Sequence, residues 1–289
     1  MAVRATVEAL LRERKLDRTL TSTIPERLGE DAVAPLNVDA LDLALAGLTG
    51  PQRGLAGGLP RGHVSEVVGP ASSGRTGLVW AALAAATRRG ETVALIDTFD
   101  RFDPPTAAAC GIVLPRLLWV RGQAVSKTAV AIDPAWLPGV RAVNGPGTFV
   151  ERVIDRAIKS LNLVVQSGVC TLVAIDLIDV PATALRRLPA STWFRIERAI
   201  EGSDTAVVIL AAQPVARSSG GRSVMMGSSR RDSAVGEPGS RIPDPGITWK
   251  GDHDRSRRLG GVRSGAAVSA ARWSHAQQVA VNTRFVHAV

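Results

Sequence analysis

The eight residues Gly69-Pro70-Ala71-Ser72-Ser73-Gly74-Arg75-Thr76 constrain this chain more than any other stretch. They follow a β-branched run, Val64-Ser65-Glu66-Val67-Val68, and open an alanine-rich segment. A buried strand, a glycine-containing loop and a helix in that order form the setting of a P-loop. Such a loop works because backbone N–H groups and a helix N-terminus converge on phosphate oxygens. Glycines 69 and 74 have the spacing the loop needs. A lysine normally reaches the terminal phosphates, and a Ser/Thr hydroxyl meets magnesium. Here the lysine slot holds Arg75. Its guanidinium keeps the charge but is planar, longer and bulkier than an ammonium. The residues therefore fit phosphate binding better than efficient phosphoryl transfer.

The flanking pattern extends this unit. A helix is predicted over Thr76–Arg89, with Leu78, Val79, Ala82, Leu83 and Ala86 on one side and Gly90 as its stop. Strands are predicted at Val93–Asp97, Leu117–Val120, Leu172–Asp176 and Ala206–Ala212. Between them lie helical stretches from Pro104 or Pro105 to Cys110, from Phe149 to Gln166 and from Thr192 to Gly202. Strands alternating with helices argue an α/β fold, a mostly parallel central sheet covered on both faces. Ligands of such sheets bind at the carboxyl ends of the strands. Gly69–Thr76, Asp97, Asp176 and Gln213 all fall there.

Three segments are expected. Residues 1–37 hold an N-terminal helix at 2–16, striped with Val3, Val7, Leu10 and Leu11, and a proline-broken connector. Residues 38–213 hold the core, beginning with a short helix at Val38–Ala46 and glycine-rich turns at 47–62. Residues 214–289 read as a basic, partly disordered tail rich in Ser, Gly and Pro, with late strands open at 268–271 and 279–286. Between Arg217 and Arg263 that tail has ten basic residues against five acids. The whole chain of 289 residues carries 35 Lys and Arg against 26 acids, a net +9. That balance favours a polyanionic partner, with plain solubility as the lesser alternative. Cys110 and Cys170 sit in apolar surroundings without ligand spacing and read as reduced core residues. His63, His253, His275 and His287 are scattered, with no metal-ligand spacing. Trp80, Trp119 and Trp193 lie in regular elements and are expected in the core. No apolar run reaches the roughly 18 residues of a membrane span, and no charged-then-apolar leader opens the chain, so a cytoplasmic protein is expected.

The order Arg27-Leu28-Gly29-Glu30-Asp31, Leu41-Asp42-Leu43-Ala44-Leu45 and Gly58 through Thr76 resembles the bacterial RecA family. The likeness continues through Ile96-Asp97, Phe102-Asp103-Pro104, the Asp176 strand and Gln213. The resemblance implies nucleotide contact (ATP with magnesium, through a degenerate P-loop) by Gly69, Ser72, Ser73, Gly74, Arg75 and Thr76. It gives Asp176 a place near magnesium and makes Gln213 the γ-phosphate sensor. It also implies that the catalytic glutamate slot, two residues after Asp97, is Phe99, and a phenyl ring cannot polarise water. Arg186 and Arg187 fall where the family has a DNA-binding loop; with Arg217, Arg222, Arg230 and Arg231 they form the candidate DNA-contacting set.

A RecA-like chain of this length with a changed loop resembles the ImuA group, related to RecA and SulA. That resemblance implies a non-catalytic accessory of SOS-induced translesion synthesis and mutagenesis. Its partners would be an ImuB-type Y-family polymerase homologue and an error-prone replicative-type polymerase, with RecA and single-stranded DNA as further candidates. Two other readings stay open on the residues: a DNA-dependent ATPase of RecA type, and a SulA-like inhibitor of cell division.

Overall fold

A computed structural model describes residues 32–46, 57–124, 149–216, 220–227, 247–250, 258–270 and 276–284. In chain order the elements begin with β1 (Val33–Ala34), α1 (Asp39–Ala46), β2 (Leu59–Pro60), β3 (Val64–Val68) and α2 (Arg75–Arg88). There follow β4 (Val93–Asp97), α3 (Pro104–Ala109), a single 3-10 turn at Leu114–Arg116, β5 (Leu117–Arg121) and α4 (Phe149–Ser167). The remainder is β6 (Leu172–Asp176), α5 (Ala182–Arg187), α6 (Ala190–Ile200), β7 (Ala206–Ala211), β8 (Arg222–Met226), β9 (Ile247–Lys250), β10 (Arg258–Ala270) and β11 (Gln277–Arg284).

The expected α/β architecture with its mostly parallel sheet is present. The main sheet runs β11-β10-β8-β3-β7-β6-β4-β5, with β9 beside β10. From β5 to β8 every pairing is parallel; those of β10 with β8, β9 and β11 are antiparallel. The central strands read as continuous apolar runs because both faces are covered. Alternate residues divide between two cores. Val67, Val93, Leu95, Leu172, Val208 and Leu210 face α1 and α2, whereas Val68, Ala94, Ile96, Val173, Ile175, Val207 and Ile209 face α4 and α6.

Local chemistry explains the boundaries. Gly90 has φ +92 and ends the α2 segment, a left-handed turn that glycine alone adopts at no steric cost. Asp103 caps α3 by accepting from Thr106 N–H at 3.0 Å, and Pro104 and Pro105 occupy the first turn, where no N–H is needed.

Four expectations change. Residues 33–34 and 59–60, read as connector and turn, pair as β1 and β2. Arg61 ties that pair to the sheet: its guanidinium donates to Val33 and Asp204 carbonyls and meets Glu91 at 3.1 Å. A helix, α5, holds Arg186 and Arg187, which were expected on a loop. Cys110, expected in the core, is exposed at the end of α3, while Cys170 is buried. Finally, a boundary at 213/214 falls inside the sheet, since β8 lies against β3 and β10 carries the sheet onward from it. The Gly- and Ser-rich composition of β10 reads as turn, but pairing on both sides overrides that weak preference. The helix expected at 2–16 lies outside the described residues.

Candidate functional site

Strand β3 delivers the chain to Gly69, and α2 begins at Arg75. Gly74, at the α2 N-cap, has φ +88, which a side chain would strain. A Cβ on Gly69 would lie 2.6 Å from the Met226 carbonyl oxygen and 2.8 Å from Ser73 Oγ, so only glycine fits there. Ser72 is exposed with φ +61, and Thr76 is half-buried in the first turn of α2. Ser73 is buried, and its Oγ has no hydrogen-bond partner among the described residues. An orphaned buried hydroxyl beside a helix N-terminus is an observation that fits a phosphate cradle.

Arg75 points into this structure rather than out of it. It is buried, and its Nη1 donates to the Gly69 carbonyl, closing the loop from within. Burial lowers its pKa, opposed by the charges of Asp176 and Asp179. The far wall of the loop comes from the tail. Ser264 Oγ donates to the Ser73 carbonyl at 3.2 Å, and Gly227 N–H donates to Gly265 at 2.7 Å. Those contacts were not legible in the sequence, because nothing in a Ser/Gly-rich stretch signals which strand it will join.

The two acids that close β4 and β6 lie side by side in the parallel register Asp97↔Asp176. Asp97 is buried and accepts from Arg101 N–H at 2.8 Å, Phe102 N–H at 2.9 Å and Trp119 Nε1–H at 3.2 Å. It holds a loop, and Phe102 then packs between Trp80 and Trp119, with ring centroids 5.5 and 5.3 Å away. Asp176 accepts from Ile178 N–H at 2.9 Å. Burial, together with Asp97 and Asp179, lifts its pKa from 3.8 to about 6. Of the two, Asp176 accepts the fewer hydrogen bonds. Among the described residues no group of three or more His, Cys, Asp or Glu is placed to hold a metal ion.

Residue 99 decides the chemistry of the loop after β4. Phe99 is 2% exposed and packs in the core beneath α4, among residues such as Val150 and Val153. Neighbouring Asp100, at φ +58, is held by Arg121 through two hydrogen bonds of 2.7 and 2.9 Å. That pairing keeps the Asp100 carboxyl below the usual carboxylate range. Neither side chain is placed to take a proton from an attacking water.

The remaining candidates separate. Gln213 is exposed and lines a cavity of about 460 Å³ with Arg186, Trp193 and Phe194. Arg187 lies 3.3 Å from Glu151 and lines another cavity, of about 420 Å³. Arg222 turns inward, contrary to expectation: it is half-buried on β8, Nη1 donates to the Gly220 carbonyl at 3.1 Å, and burial lowers its pKa. Arg217, Arg230 and Arg231 lie outside the described residues. One residue that sequence reasoning missed is Glu66. It is 6% exposed and accepts from Val215 N–H at 2.9 Å, Ala216 N–H at 3.1 Å and Ser223 Oγ–H at 3.1 Å. A lone acid inside an apolar strand was the available signal.

Residues 15–132 match the RecA N-terminal domain family. Over this stretch the chain is similar to that family. The match takes in the P-loop, Asp97 and Phe99; Asp176 and Gln213 lie beyond it. Protein RecA of Paenarthrobacter aurescens (strain TC1) is 42% identical over 97 residues, which are 32% of this chain and 25% of that protein. Protein RecA of Salinispora tropica is 40% identical over 119 residues, 37% of this chain and 32% of that protein. The chain thus matches about a quarter to a third of the length of these RecA proteins. The crystal structure of the RadB recombinase aligns with 86% of this chain and 94% of that one, at a TM-score of 0.46 and 16% identity. Among the described residues no helix is long and apolar enough to cross a membrane.

Proposed function

We propose that this RecA-like chain is an accessory protein of DNA-damage tolerance that acts by binding and does not turn over nucleotide. The observation that carries this reading is the burial of Phe99 beneath α4, with Asp100 already paired to Arg121. A P-loop without a base or water-orienting acid has lost the group that makes bound nucleotide reactive. Arg75, folded onto Gly69, adds to this, because its head group serves the loop itself. The resemblance to the ImuA group supplies the partner: an inactive Y-family polymerase homologue of ImuB type, working with an error-prone replicative-type polymerase in translesion synthesis. ATP phosphates, where they bind, would be held by the loop backbone, Ser73 and Thr76, with Asp176 toward magnesium.

Release of phosphate from ATP, measured with and without single-stranded DNA, tests the reading. The expected result is a rate no higher than that of the Asp176→Ala variant. DNA-stimulated hydrolysis that this variant abolishes would overturn it. Capture of the polymerase homologue at micromolar concentration is the second arm, and its failure counts against the partner. A RecA-type ATPase is the rival reading, favoured by the retained glycine geometry and by the Ser73 hydroxyl, which has no partner among the described residues.

A further inference from the structure

Helix α6 has a cavity on each flank. The first, about 420 Å³, lies between α4 and α6 and has aliphatic walls, including Ile154, Ile158 and Ile196. The second, about 460 Å³, lies against Leu185 and Trp193. Leu188 lines both, so the two form one groove around the start of α6. Phe194, on the same helix, lines the second cavity and is 66% exposed.

Two of the acids around this groove already have basic partners. Glu151 is matched by Arg187 at 3.3 Å and Asp155 by Lys159 at 2.7 Å, while Glu197 shares a hydrogen bond of 2.9 Å with the His63 ring. Arg186 and Arg195 are exposed and have no ion-pair partner among the described residues. The N-terminus of α6 begins at Pro189 with no side-chain cap and no acid in its first turn. Its N–H groups contribute further partial positive charge. The groove therefore combines an apolar floor with two exposed arginines, Arg186 and Arg195, against one further acid, Glu197.

We propose that this groove docks an acidic amphipathic segment of a partner protein. The segment's apolar side chains enter the two cavities astride Leu188, and its carboxylates meet Arg186, Arg195 and the open end of α6. A nucleic acid fits less well. The α4–α6 cavity offers aliphatic walls rather than aromatic faces for stacking. The proposal rests on reading the chain as a binding protein, and it names the surface and the chemistry of what is bound.

Fluorescence anisotropy of the full chain with three probes provides the test. The first is a labelled 14-residue helical peptide with Leu on one face and Glu on the others. The second is the same peptide with Lys for Glu, and the third is a labelled oligo-dT. The Glu peptide is expected to bind at least about tenfold more tightly than the Lys peptide, and to weaken with salt. Arg186→Glu and Arg195→Glu are each expected to weaken it about five- to tenfold, and Phe194→Ser to weaken it comparably. All three positions are exposed, so circular dichroism should report unchanged folding. Equal binding of the two peptides, indifference to these substitutions, or oligo-dT displacing the Glu peptide would overturn the proposal. Capture of the polymerase homologue separates it from the function above. If wild type and the Arg186→Glu/Arg195→Glu protein capture it equally, the groove assignment falls and the function stands. If wild type does not capture it while the Glu peptide still binds the groove, the partner assignment falls and the groove stands.

Discussion

At the end of β6, Asp176 lies beside Asp97 and accepts from Ile178, and burial with its acidic neighbours lifts its pKa from 3.8 to about 6. A folded pKa above the unfolded one means that stability is complete below about pH 4 and declines as pH rises through 6. Asp176→Asn keeps an oxygen for Ile178 but cannot ionise. Its advantage over wild type in urea unfolding is expected to grow by about 1 to 2 kcal/mol between pH 5 and pH 8. A constant difference across that range would show that Asp176 is not the titrating group. Phe99 gives a sharper contrast between motif and structure. Sequence logic says that Arg75→Lys with Phe99→Glu should restore hydrolysis. The burial of residue 99 says otherwise, because the new carboxylate would enter an apolar core. The expected outcome is no phosphate release and a loss of about 3 kcal/mol or more on unfolding. A folded, hydrolysing double variant would mean that residue 99 faces the loop.

On the scale of elements, β8 and β10 make the tail part of the central sheet, where the sequence left open only late strands at 268–271 and 279–286. Val268 in β10 is fully buried in the same core as Val67 of β3 and Leu78 of α2. Val268→Asp is therefore expected to cost several kcal/mol and unfold the protein near room temperature, as seen by thermal circular dichroism. An unchanged melting point would mean that the late strands are not part of the core. Glu66 joins β3 to the segment after β7. Burial raises its pKa, and the N–H groups of Val215 and Ala216 with the Ser223 hydroxyl oppose that rise. Glu66→Ala strands two backbone donors and is expected to lose about 2 to 4 kcal/mol. Glu66→Gln keeps an acceptor for the N–H groups and an amide for Ser223, and should lose less than half as much. Equal losses would show that packing, not hydrogen bonding, is what Glu66 provides.

For the molecule as a whole, the +9 charge was plain from composition, but its destination was not. Arg222, a candidate for DNA, is half-buried on β8 and donates to the Gly220 carbonyl, Arg61 is half-buried in a network with Glu91 and Asp204, and Arg75 closes its own loop. Retention on heparin is expected to be abolished by moderate salt, because the exposed arginines that remain act through screened, long-range attraction. Salt-insensitive retention would contradict that.

Read in order, the residues determined the P-loop, the central parallel strands and the helices between them. Each of these depends on local periodicity and on glycine positions that only a short stretch of chain controls. The strand ends at Asp97 and Asp176 were legible for the same reason. Tertiary structure alone decided what those groups do: that Asp97 holds a loop, that Phe99 is core, that Gln213 lines a cavity beside Arg186, and that Met226, Gly227, Ser264 and Gly265 wall the loop. The physical reason is that burial, orphaned hydroxyls and the choice of strand partner depend on residues up to about 190 positions apart, as between Ser73 and Ser264. No window of sequence contains both ends of such a contact.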